Sequence, residues 1–267
     1  MIKLIISDMD GTLLNSNHEL PQDFMHVFKT LQERGIYFCV ASGRQYLSLL
    51  SFFAPIKDKM AFISENGAFV SINGKEVYQN AISPYHIQQV IARYKQFSGM
   101  AIGLCGKKAT YLFPTTPYAE EQVSIYHHTV EKVTDLSQID DTISQITILD
   151  PIGARGHSFP AFSSLSQEGL KITISGAYWI DITNEGVNKG VAVTALQEFL
   201  GISPEETMAF GDYLNDLEAL KRASYSYAMK NAQEEVKQVA FYETKDDNNH
   251  NGVLKTICEV LKIPLSS

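Results

Sequence analysis

The run SDMDGTLL at residues 7–14 sets two carboxylates, Asp8 and Asp10, two positions apart at the end of an apolar stretch holding Ile2, Leu4, Ile5 and Ile6. Like charges this close repel, and burying either one unpaired is costly. Two more polar breaks end apolar runs: ASGR at 41–44, which brings Ser42 and Gly43, and GDYLND at 211–216, which brings Asp212, Asn215 and Asp216. Lys189 stands in EGVNKG, just ahead of a helical pattern. Several carboxylates with one ammonium are tolerable if a hard divalent cation sits among them, and oxygen donors around an octahedral centre suit Mg2+. Such sites use one or two carboxylates and share the ion with substrate phosphate oxygens. An anionic substrate is implied.

These residues converge only if the elements before them are neighbouring strands. Residues 2–6 read as a buried strand. Pro21 then leads into Phe24, Val27, Phe28 and Leu31 at helical spacing, with Gly35 as a stop, and the apolar run 36–41 follows as a second strand. A second helix over 45–53 precedes a third strand, and Asn73-Gly74 between alternating apolar residues predicts a type I′ hairpin turn. Ser83-Pro84 opens a helix with Ile87, Val90, Ile91 and Tyr94 on one face, and strand patterns recur near 100–105, 109–113, 144–150, 171–175 and 178–183. From Asn184 the alternation of strand and helix resumes to the end. The expected fold class is α/β: a doubly wound, Rossmann-like parallel sheet built from residues 1–82 and 184–267, with residues 83–183 inserted as an α/β cap domain. In such sheets ligands bind outside the carboxyl ends of the strands, where helix N-termini also point.

Composition narrows the partners. Acidic residues outnumber basic ones 30 to 22 in the 267-residue chain, which argues against nucleic acid as a ligand. Cys39, Cys105 and Cys258 are odd in number and lie in apolar stretches, as buried thiols in a reducing compartment do. No run approaches about 18 apolar residues, and the first apolar run is only a strand long and ends in aspartates. A soluble, cytoplasmic protein without a membrane partner is expected; protein partners are not legible.

Taken in order and with their spacing, DMDGT, ASGR, NKG and GDYLND resemble the haloacid dehalogenase-like phosphatases, and within them the Cof-type bacterial sugar phosphatases with a type IIB cap. The resemblance spans essentially the whole chain. It implies that Asp8 is the nucleophile forming an aspartyl-phosphate and that Asp10 is the general acid and then the base, its carbonyl touching the Mg2+. Asp8 and Asp212 would be side-chain metal ligands, with Asp216 orienting the waters of the ion from behind. Ser42, the Gly43 amide, the Met9 backbone and Asn215 would hold phosphate oxygens, while Lys189 neutralises the nucleophile and the phosphoryl group. Sugar phosphates are the expected substrates, with pyridoxal phosphate or a flavin nucleotide as alternatives.

Other readings compete. A phospho-receiver domain also gathers aspartates and a lysine over Mg2+, but it needs no cap; a phosphomutase would pass the phosphoryl group to a second hydroxyl. His127-His128 lacks ligand spacing and reads as a surface pair on the cap. The polar stretch DDNNHNG at 246–252 reads first as a loop capping the last helix, and the resemblance puts a similar loop near the active-site mouth.

Overall fold

The computed structural model describes residues 1–127 and 129–264, and of Tyr126 the backbone alone. The chain divides into two compact units, one made of Met1–Gly43, Pro55–Tyr78 and Asn188–Ser267, the other of Arg44–Ala54 and Gln79–Val187. Arg44–Ala54, with the helix Tyr46–Phe52, groups with the second unit and not with its sequence neighbours.

An eight-stranded sheet organises the first unit. Its spatial order is Tyr242–Glu243, Tyr225–Ala228, Thr207–Gly211, Leu4–Ser7, Tyr37–Ala41, Ala61–Ser64, Phe69–Ile72 and Lys75–Gln79. The pairings are parallel from Tyr242–Glu243 through Ala61–Ser64, and the next is antiparallel. Leu4–Ser7 lies centrally because every one of its residues is buried, as the near-continuous apolar run requires when helices cover both faces. On one face Leu4, Ile6, Cys39 and Ile63 meet Ala192, Val193, Leu196, Leu220 and Val236 from the helices Lys189–Leu200, Leu217–Leu220 and Glu234–Val239. On the other, Phe24 and Phe28 of the helix Phe24–Glu33 pack edge-on against Phe38. The chain leaves Leu4–Ser7 toward Tyr37–Ala41 and returns on the other side at Thr207–Gly211, so the winding reverses between Leu4–Ser7 and Thr207–Gly211. That reversal is where a doubly wound sheet opens a crevice for ligand. The turn between Phe69–Ile72 and Lys75–Gln79 places Asn73 at φ 50° and Gly74 at φ 73°, the two positive values a type I′ turn needs.

The second unit holds a six-stranded sheet in the order Leu170–Ile174, Trp179–Asn184, Ile143–Leu149, Ala101–Gly106, Thr110–Leu112, Val130–Lys132. One face carries an apolar core against the helices Pro84–Tyr94 and Phe159–Ser163, and the residues buried by Pro84–Tyr94 are Ile87, Val90, Ile91 and Tyr94, the stripe the sequence predicts. Two elements here have little sequence signal. The helix Pro117–Tyr126 lays Ala119 and Val123 on Ala101, Leu112 and Leu149, too few apolar positions to show a period, and its only mark is the Thr116-Pro117 cap. The strand Val130–Lys132 is mostly exposed. His127 is not at the surface: it is buried, with Nδ1 3.0 Å from Thr110 Oγ1, which also accepts from Gln45 Nε2 at 2.7 Å. Two adjacent histidines suggest a solvated face, but the chain leaves the helix here and turns this one inward; His128 lies outside the described residues. Among the described residues no helix is long and apolar enough to cross a membrane.

Candidate active site

The register of the first unit puts Ser7 opposite Phe210, so Asp8 and Asp212 emerge together at the carboxyl ends of adjacent strands, where the winding reverses. The Asp8 amide donates to the Phe210 carbonyl at 3.0 Å, extending the ladder one residue into the site. Gly11 lets the loops approach: it has φ 79°, and a Cβ there would collide with the Asp212 carboxylate. Thr12 Oγ1 donates to Asp212 Oδ1 at 2.7 Å and fixes that side chain from the first loop.

Lys189 arrives from a third direction. Its helix is capped by Asn188, whose side chain accepts from the Val191 amide, and the turn at Glu65–Gly67 presses on that cap so closely that a Cβ on Gly67 (φ 104°) would strike the Asn188 carbonyl. Lys189 is fully buried, and its Nζ donates to Asp8 Oδ1 at 2.5 Å and to Asp216 Oδ1 at 2.6 Å. The other oxygen of Asp216 accepts from the Asp212 and Tyr213 amides at 3.0 and 3.1 Å. Asp216 therefore has both oxygens engaged, holding the lysine with one and the Asp212 loop with the other.

The electrostatics leave this cluster short of positive charge. Burial, aided by Asp216 and only partly countered by Lys189, pushes Asp8 up to about 8; burial pushes Asp212 up to about 6 against the Thr12 hydrogen bond, with Asp216 adding to the rise. Burial disfavours the Lys189 ammonium, but Asp216 and Asp8 outweigh it and hold the group protonated above its usual value. When all are ionised, three carboxylates face one ammonium, and a divalent cation matches the two excess negative charges. Ligand oxygens of Asp8, Asp212 and Asp216 lie within 4.8 Å of one another, so the set converges on one small region of the crevice. Since Asp216 is fully engaged, Asp8 and Asp212 fit the ion as ligands and Asp216 as the group behind them.

The remaining predicted residues line the same edge. Asp10 is more exposed than Asp8, and its Oδ1 lies 3.1 Å from His18 Nδ1. Met9 is buried, its carbonyl accepting from Leu14 N at 2.9 Å. Ser42 is buried, with its amide on the Ile63 carbonyl. Gly43 sits against the amide of Asn66, and Asn66 Oδ1 accepts from Asn215 Nδ2 at 2.9 Å. Asn66 thus joins two of the predicted phosphate-binding groups, and sequence reasoning missed it by taking its segment as a hairpin only. The available signal was its place at the carboxyl end of Ala61–Ser64, in a turn where Glu65, Asn66 and Gly67 all have positive φ.

The sequence profile of the haloacid dehalogenase-like hydrolases matches residues 5–257. The chain belongs to this family. This hydrolase is 33% identical over 267 residues to the 5-amino-6-(5-phospho-D-ribitylamino)uracil phosphatase YbjI of Escherichia coli K12, covering 98% of the chain and 97% of the relative. It is 28% identical to the phosphatase of the same substrate name, YcsE, of Bacillus subtilis 168, covering 96% and 94%. Its fold is similar to the crystal structure of SMU.1108c from Streptococcus mutans UA159, with TM-score 0.82, 31% identity, and coverage of 98% of this chain and 100% of the other. The hydrolase is an enzyme of the phosphatase type.

Proposed function

We propose that this enzyme hydrolyses a small phosphorylated metabolite through an aspartyl-phosphate on Asp8, with Mg2+ as cofactor. The observation that carries the reading is the buried Lys189 ammonium joined to Asp8 and Asp216 beside Asp212 at the switch point of the sheet. Asp8 attacks phosphorus; the bond to the ester oxygen breaks, and Asp10 gives that oxygen its proton. Asp10, now a base, takes a proton from water as the water attacks phosphorus, which releases inorganic phosphate and restores Asp8. Lys189 offsets charge on the nucleophile and on the transferring group, while Ser42, the Gly43 amide, the Met9 backbone and Asn215 hold the phosphoryl oxygens. Asp8, Asp212 and the Asp10 carbonyl would hold Mg2+, which would supply Lewis-acid stabilisation of the phosphoryl charge. Residues 83–183 would act as the cap that selects the leaving group.

The substrate class we infer is a phosphate ester of a polyol chain, which covers sugar phosphates and a phosphoribityl compound alike. The names of YbjI and YcsE support the latter, and make 5-amino-6-(5-phospho-D-ribitylamino)uracil the first compound to assay. The test is a screen of metabolite phosphates with release of inorganic phosphate measured, run with chelator and with Mg2+, on wild type and Asp8→Asn. Multiple turnover that needs both Mg2+ and Asp8 supports the reading. A single stoichiometric phosphorylation without turnover would favour the receiver alternative, and transfer to a second sugar hydroxyl would favour a mutase.

A further inference from the structure

The loop at 246–252 does more than cap the last helix. Asn248 is buried, and its Nδ2 donates to the Leu14 carbonyl at 2.8 Å. Its own amide donates to Asn231 Oδ1 at 3.2 Å, and Asn231 Nδ2 donates to the Gly11 carbonyl at 2.8 Å. Asn249 Oδ1 accepts from the Ser16 amide at 2.9 Å. Three asparagines from the ends of the last two strands thus hold three backbone groups of the turn after Asp8. That turn carries Asp10, which pairs with Leu14 in an isolated bridge, and it bends at Gly11, whose φ of 79° glycine adopts without strain. A donor is placed on a backbone carbonyl on each side of the turn, the buried Asn248 on Leu14 and the exposed Asn231 on Gly11, and together they restrain a loop that would otherwise be free to move.

We propose that Asn248 and Asn231 are positioning residues for the proton transfer by Asp10, acting by clamping the Gly11–Leu14 backbone and without touching substrate. This rests on the assignment of Asp10 as general acid given above. Its consequence is specific. A loose turn leaves the nucleophile Asp8, which is fixed by the sheet and Lys189, in place; it loosens Asp212 through Thr12, which slows every ester alike, and it misaligns the acid, which does not. The loss then depends on how much the leaving oxygen needs a proton: little for a nitrophenolate, much for a phenolate of higher pKa.

The test is a series of aryl phosphates of graded leaving-group acidity, p-nitrophenyl, p-chlorophenyl, phenyl and p-methoxyphenyl phosphate, assayed on the full chain with Mg2+. Wild type, Asp10→Asn, Asn248→Ala and Asn231→Ala are compared by the slope of log kcat/KM against leaving-group pKa. Every slope is a ratio within one preparation, so a partly unfolded variant does not alter it, and Asn231 is exposed, which keeps one variant safe for folding. Asp10→Asn is expected to steepen the slope, and Asn248→Ala and Asn231→Ala to steepen it part of the way. For Asn248→Ala, phenyl phosphate turnover should fall about 10-fold more than p-nitrophenyl phosphate turnover, a fraction of the roughly 100-fold or more that a complete general acid contributes. Parallel losses across the series in both asparagine variants, with Asp10→Asn still steepened, would overturn the clamp alone. An unaltered slope in Asp10→Asn, or no turnover of any ester by wild type, would overturn the acid assignment on which it stands, and the clamp with it.

Discussion

Replacing Lys189 by Met tests the electrostatic core of the site most directly. The side chain is fully buried, Met fills a similar volume, and the change removes the one ammonium that meets Asp8 at 2.5 Å and Asp216 at 2.6 Å. What remains is a group of three carboxylates with oxygens within 4.8 Å of one another. Deleting one partner of a buried ion pair costs about 3–5 kcal/mol, because the other charge stays buried without its counter-ion. In chelator at neutral pH Asp8 holds its proton, so the Lys189–Asp216 pair is the one broken and the lower part of that range applies. For a chain of this size each kcal/mol lowers Tm by about 2–4 °C, so a loss on the order of 10 °C is expected in chelator at neutral pH. Mg2+ should restore more stability to the variant than it adds to wild type, since the ion would then be the only positive charge in the cluster. The assay is thermal unfolding followed by circular dichroism, in chelator and over a Mg2+ titration, with phosphate release measured on the same samples. A variant as stable as wild type in chelator would refute the ion-pair reasoning, and full activity would remove Lys189 from the mechanism.

Other outcomes follow from the same geometry. In metal-free protein Asp8 keeps its proton up to about pH 8 against an ordinary 3.8, so between those values the folded state binds more protons than the unfolded one and stability falls as pH rises. Asp8→Asn should therefore gain on wild type from pH 4.5 to pH 8 in urea midpoint with chelator present; a gap that shrinks with pH would contradict the burial of that carboxylate. Asp216→Ala should raise the Mg2+ concentration for half-maximal activity about 10- to 100-fold, as loss of a partner behind a metal ligand does, and an unchanged metal requirement would show that Asp216 serves Lys189 alone. Gly67→Ala should both destabilise and inactivate, because the new Cβ must displace the Asn188 backbone that sets Lys189, whereas Gly35→Ala, with φ 68° and open space, should cost only about 1–2 kcal/mol and leave activity intact. Equal effects in denaturation and phosphate release would show that the close approach at Gly67 does not matter.

The legible part of this protein is what strand ends make legible. Asp8, Ser42, Gly43 and Asp212 each terminate an apolar run that only a buried parallel strand explains, and parallel strands place such ends on one edge whatever lies between them in sequence. Lys189 was readable as the lone cation ahead of a helix. Asn66 was readable by the same strand-end rule and was overlooked; Asn231 and Asn248 were not, because a polar residue in a polar loop carries no sign of which distant backbone it will meet, and their roles exist only once Gly11 and Leu14 are beside them. The helix Pro117–Tyr126 escaped for a different reason: it buries two small side chains, Ala119 and Val123, and periodicity needs more. His127 shows the limit of pattern from the other side, since its neighbour in sequence suggested solvent and its neighbour in space is Thr110.

The strand Leu4–Ser7 has Thr207–Gly211 as one flank, and the turn after it is tied down by Asn231 and Asn248. During synthesis, then, the strand Leu4–Ser7 emerges long before the flank that completes it, and the nascent chain must carry that apolar strand half paired until Thr207–Gly211 follows. A ribosome stalled shortly before residue 207 would present a polypeptide with its nucleophile in hand and no catalysis, and one most in need of a chaperone.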